Sequence, residues 1–348
     1  MKKERCFYLD FIRAIAVVSI LITHYNANFI YMNAESALDK VVLSTKVANI
    51  YIGDFGVSLF LIISGAALMY TYNERLELKT FYKKRFISIY PMFWIAYVIV
   101  FAHHFILNGG MDQTIPKYRL LFTLIGEDGY IGTVISTFYL IGEWFLGFII
   151  IIYVIFPILR IGVQKYPIIT IALIMTLYSY FTIHYNINFI KNIFLFNRLP
   201  EIVFGMFFVQ YIKKVNIWVA GGALLLLLMN SICKPELDAS FQMTYVGIAS
   251  FLLLTYISQY LEKGILVKRV CQILSKYSYA IFLTHHYITQ LFVVKINLTT
   301  ITRFESYILF IIICCVVGFF SKLLYMLNNY VVASCRKYFG LVKNGSMY

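Results

Sequence analysis

Charge is what this chain has least of. Asp, Glu, Lys and Arg make up 13% of its 348 residues, where an ordinary soluble domain carries about 25%. Hydrophobic residues make up 61%, and mean hydropathy is +0.78. A soluble globular protein is excluded, and the chain reads as a membrane protein throughout. Cysteine is sparse and lacks ligand-type spacing. Cys6, Cys233, Cys271, Cys314, Cys315 and Cys335 are scattered over spans and loops, so neither a disulfide framework nor a metal site is expected. A cleavage site is also lacking. MKKER followed by an apolar run imitates a signal peptide, but Asp10 and Arg13 interrupt its core, so the segment is expected to stay as the first helix. Nothing resembles an appended soluble domain, and no internal repeat stands out.

What is present is a series of apolar runs. Ten candidate spans cover 7–25, 52–72, 87–107, 139–160, 167–184, 194–212, 216–232, 243–261, 270–294 and 307–327. Their lengths suit a hydrocarbon core of about 30 Å, and lipid offers backbone groups no partner, so they must be helical. The expected fold is an all-α polytopic bundle of about ten transmembrane helices in the cell membrane. It forms one membrane domain over 1–328, with a short basic cytoplasmic tail over 329–348. The net charge of +14 gathers in the segments between spans, where it sets topology and meets anionic headgroups. Membrane lipid is therefore the expected partner, and nucleic acid is not. One face of the expected map holds 18 Lys and Arg against 8 on the other, which makes the richer face, with both termini, cytoplasmic. The largest outer loops are 26–51 and 108–138, the second with an interfacial or re-entrant stretch near Leu120 to Ile125.

Arg13 and His24 carry the most information. They lie eleven residues apart in FYLDFIRAIAVVSILITHY. At about 100° per residue the separation is about 1100°, within about 20° of three full turns, so both occupy one helix face about 16 Å apart along the axis. Each has a structural reading. Arg13 can snorkel to the headgroups and pair with Asp10 at i, i+3, and His24 can be an interfacial residue near a helix end. Their shared face favours function, since an ionisable residue inside a bilayer is costly without a role. A cation near the cytoplasmic end and an imidazole near the far end point to a reaction that bridges the membrane.

Further charges fall inside other spans. Glu143 opens the fourth, Arg198 and Glu201 stand at i, i+3 in NRLPEIVFGM, and His285 and His286 lie within SYAIFLTHHYI. Singly, each reads as interhelical glue, with Arg198 and Glu201 a packed ion pair. Together they make a polar bundle interior. Lys79, Lys83, Lys84 and Arg85 precede Tyr90-Pro91. Positive-inside topology accounts for them, and recognition of a phosphorylated or anionic ligand is the functional alternative. Gly56 and Ser64-Gly65 read as packing.

Taken in order, these blocks resemble the membrane acyltransferase-3 family. An arginine, ten residues and a histidine open the pattern. GVSLFLIISG, KKRFISIYPMFW, the Trp144 to Pro157 stretch, RLPEIVFGM and SYAIFLTH follow, over roughly residues 7 to 287. The resemblance implies an integral membrane acyltransferase that takes an acyl group, usually acetyl from acetyl-CoA, to an extracytoplasmic sugar hydroxyl. On that reading Arg13, Lys83, Lys84 and Arg85 are expected to hold the phosphates of the donor. His24 with Arg13 is expected to be catalytic, His24 as general base or covalent acyl carrier. Glu143, Arg198, Glu201 and His285 are expected to bind the acceptor or support the site. No bound cofactor is expected. Acetyl-CoA or another short acyl-CoA is the co-substrate, and a cell-surface or lipid-linked glycan is the acceptor. Two departures stand out: Ile149 and Ile150 occupy positions where many members carry Glu, and no esterase-like domain is expected. A transporter or flippase for a lipid-linked sugar or small metabolite is the rival reading, since composition fits it equally well.

Overall fold

The computed structural model describes residues 4–32 and 35–338. Lys2, Lys3 and Lys343, counted above among the basic residues, and the end of the expected tail lie outside the described residues. Among the described residues are ten helices of thirteen or more residues. They are α1 Phe7–Tyr31, α2 Ile52–Tyr72, α3 Leu78–Asn108, α4 Glu143–Lys165, α5 Pro167–Ile183, α6 Leu195–Phe207, α7 Ile217–Cys233, α8 Ala239–Leu261, α9 Ile265–Val293 and α10 Arg303–Tyr338. In apolar surroundings the backbone can satisfy only itself, and α3, α4 and α6 run on through Pro91, Pro157 and Pro200.

Seven stretches are long and apolar enough to cross a membrane: α1 to α4, Lys191–Ile212 with α6 inside it, α8 and α10. Helices α5 and α7 are apolar but shorter, and α9 carries Lys268, Arg269 and Lys276 in its first half. The ten expected spans therefore correspond to seven by length and composition, two short apolar helices and one long helix with a basic first half. The chain is a multi-pass membrane protein, mostly helical with almost no sheet.

Several boundaries differ from the sequence reading. Helix α1 continues to Tyr31 rather than ending at 25, and α3 starts at Leu78, so the basic segment before Tyr90-Pro91 is helical. Helix α4 starts at Glu143 rather than 139, because Gly142 and Glu143 take φ of 96° and 45° and break the regular backbone there. Helix α10 runs to Tyr338, so the described part of the expected tail is helical.

Two compact units divide the chain. The first comprises Met1–Leu76, Val154–Ser278 and Phe292–Ile312. Within it α1 packs on α2 and α8, α2 on α6 and α8, α5 on α6, and α7 on α8. Glycines set the closest approach. A Cβ on Gly65 would lie 1.9 Å from the Ile202 carbonyl oxygen, and one on Gly205 would lie 2.0 Å from that of Ile62. Gly56 likewise brings α2 onto Ser19 of α1. Around these contacts Ile12, Ala16, Leu59, Ile62, Ala66 and Val246 form the apolar core. Asn26 anchors the loop after α1 by exchanging hydrogen bonds of 2.9 and 2.8 Å with the Val42 backbone. That loop ends in a two-residue antiparallel ladder, with Lys46 opposite Tyr51 and Val47 opposite Ile50.

The second unit comprises Glu77–Tyr153, Tyr279–Leu291 and Ile313–Tyr348. Aromatic residues of α3 reach out to the loop that follows. Tyr90 Oη donates to Ile125 O at 2.9 Å, Trp94 Nε1 to Leu124 O at 3.1 Å, and Tyr97 Oη to Phe138 O at 2.6 Å. The stretch expected to be interfacial or re-entrant is a short helix, Leu120–Ile125, pinned by the first two of these bonds. The next turn, Asp128–Ile131, seats on the start of α4. A Cβ on Gly129 would lie 2.5 Å from Glu143 O, and one on Gly147 would lie 2.7 Å from Tyr130 Cβ.

Candidate functional site

In the first unit α1 presents Arg13 and His24 together, as the spacing requires, and both are half-buried. Arg13 Nη1 donates to Ser275 Oγ of α9 at 3.0 Å, which fixes the guanidinium against a neighbouring helix. Since α1 continues to Tyr31, His24 lies inside the helix rather than at its end. Asn28, one turn on, donates to the His24 carbonyl at 2.7 Å. Asp10, weighed above as a partner of Arg13, is gripped by Arg5, whose Nε and Nη2 reach its two carboxylate oxygens. This forked geometry is the strong form of the arginine–carboxylate pair.

Arg198 and Glu201 also lie in the first unit, on α6, and both are fully buried. Their side chains meet at 3.1 Å. Arg198 also donates from Nη1 to Met243 Sδ and from Nη2 to Ser58 Oγ, each at 3.3 Å. Asp54 on α2 lies within range of the same guanidinium. A buried pair so enclosed ties α2, α6 and α8 together, and breaking it by removing one partner typically costs about 3–5 kcal/mol.

In the second unit the basic segment of α3 divides. Lys83 and Lys84 are exposed, while Arg85 is half-buried. Its guanidinium lies 5.4 Å from the Tyr153 ring centroid and 5.9 Å from that of Phe81, so cation–π attraction orients it. His285 is buried, and its Nδ1 faces the carbonyls of Ile281 and Phe282 at 3.0 and 2.9 Å. Both partners are acceptors, so Nδ1 carries the hydrogen. His286 turns elsewhere, and its Nδ1 meets Glu143 Oε1 at 2.5 Å. Glu143 is the first residue of α4, where the helix dipole favours a carboxylate.

Nearby in the loop, Glu127 is pushed up to about 7 by burial and then by the adjoining Asp128 charge. Asp128 is pushed up to about 7 by burial, against the lowering effect of the Gly129 N–H it accepts at 3.0 Å.

Sequence reasoning missed Ser275, Ser58, Met243 and Asp54, all partners supplied by distant helices. No local pattern marks them. The doubled histidine inside an apolar run was a visible signal for His286, but the pattern gave its partner no address. A family model described as an acyltransferase domain matches residues 7–326, a range that takes in every candidate residue above. No curated protein and no solved structure matches the chain.

Proposed function

We infer the reaction from one premise: this chain belongs to the acyltransferase-3 family. It is a multi-pass membrane acyltransferase. Its reaction moves a short acyl group, acetyl in the first instance, from acetyl-CoA to a hydroxyl of a cell-surface or lipid-linked glycan. The observation that supports this reading best is the placing of Arg13 and His24 on one face of α1, about 16 Å apart. A pantetheine arm suits such a separation. Phosphates of the donor would be held by Arg13, with the guanidinium set by Ser275, and by Lys83, Lys84 and Arg85. His24 then acts on the acceptor hydroxyl as general base or carries the acyl group covalently. Glu143, Arg198, Glu201 and His285 support the site or the acceptor. In this topology both termini, with Lys83 to Arg85, face the cytoplasm of a cell-membrane protein.

Deletion of the chain followed by NMR of the purified surface polysaccharide tests the reading. Loss of one ester signal is the expected outcome, and it identifies acyl group and acceptor position together. An unchanged ester pattern, in the polysaccharide and in lipid-linked glycans, overturns the proposed acceptor class.

A further inference from the structure

His286 and Glu143 meet wholly within the second unit, and the contact is built rather than incidental. Glu143 holds φ of 45° directly after Gly142 at 96°, a left-handed backbone that costs a non-glycine residue and persists only where its surroundings enforce it. Gly129 packs on this bend, and its missing side chain lets the Asp128–Ile131 turn close on the Glu143 carbonyl. Tyr139 flanks the same carboxylate. The bend aims the carboxylate at His286 Nδ1. With Glu143 accepting from Nδ1–H, the lone pair lies on Nε2, the tautomer a proton acceptor needs. Exposure separates this histidine from its neighbour. The side chains of His286 and Glu143 keep 35% and 20% of their surface open, whereas His285 is buried with Nδ1 committed to backbone carbonyls.

We propose that His286 is the general base of acyl transfer and that Glu143 is its positioning residue. The proposal rests on the acyltransferase reading and deepens it: with the base role given to His286, His24 is left the other of its two roles. In the step, the acceptor hydroxyl gives its proton to His286 Nε2 and its oxygen forms the ester bond to the acyl carbon. The bond from that carbon to its leaving group breaks, and the imidazolium returns the proton to the leaving group. Atoms and charge balance without any further reactant.

The test uses membranes holding the full chain, labelled acetyl-CoA, and surface polysaccharide from a deletion strain, at matched protein levels. His286→Gln and His286→Gly should each lower the initial rate by about 10²-fold or more, and added imidazole should restore several-fold activity to His286→Gly alone. Glu143→Gln should lower kcat with little change in KM, and Glu143→Asp should recover part of the loss, a rescue that a packing role would not produce. A fully active His286→Gln beside active wild type overturns this proposal alone. So does equal loss in Glu143→Asp and Glu143→Gln when both proteins insert normally. Wild-type membranes without acyl transfer to any glycan overturn the function proposed above, and this one with it.

Discussion

Replacing His24 by Ala is expected to abolish acyl transfer while the protein still inserts. A lost covalent carrier costs more in rate than the factor of about 10²–10⁴ that a lost general base costs. Ester content of the glycan at matched protein level checks this, and near-normal acylation in the variant would remove His24 from the reaction. Arg13→Lys is expected to fail as well, although the charge is kept. The Ser275 bond at 3.0 Å holds a planar fork that an ammonium point charge does not reproduce. Acyl transfer at the wild-type rate in that variant would make Arg13 a headgroup anchor only. The alignment of Arg13 with His24 was readable because helical period is a property of local sequence. Ser275, on α9, was not, because nothing near residue 13 says which distant hydroxyl arrives.

At the scale of elements, the turn after Leu120–Ile125 is expected to respond to pH. Glu127 and Asp128 stand near 7, raised by burial from the usual carboxylate range. Both are raised, so their burial contributes stability that is complete below about pH 4 and lost as pH rises through about 7. Proteolysis within residues 109–131 should accordingly be slower at about pH 5.5 than at about pH 8.5. A Glu127→Gln, Asp128→Asn variant should flatten that difference, and equal cleavage of the wild type at the two pH values would contradict the expectation. Helix existence was legible from apolar runs, and so was the packing role of Gly65, because small residues in such runs have few other uses. The start of α4 was not. Apolarity continues unbroken across residues 139–142, and only the left-handed turn at Gly142 and Glu143, imposed by the loop seated on it, ends the regular backbone.

For the whole molecule, topology and ligand stabilisation are the measurable consequences. In a variant cleared of native cysteines, a cysteine at Gln113 should label from outside the cell and one at Thr80 should not. The proposed orientation rests on 18 against 8 basic residues, and the reverse labelling would invert it. Purified protein in detergent should be stabilised by acetyl-CoA, by about 2.7 kcal/mol at 100 times the dissociation constant. The gain should shrink in Arg13→Ala and in Lys84→Ala/Arg85→Ala but survive in His24→Ala, about 16 Å along the helix. No stabilisation by any short acyl-CoA, with sugar flux in proteoliposomes instead, would favour a transporter. The reciprocal contacts of Gly65 and Gly205 have a consequence for genetics. A carbonyl oxygen sits where any side chain would begin, so every amino-acid replacement at either glycine adds bulk that the neighbouring helix must yield to. A saturation screen scored on surface acylation would therefore rank Gly65 and Gly205 beside His24, as equally intolerant positions. Measuring protein abundance in the same cells would part them, because loss at the glycines would follow missing protein and loss at His24 would not.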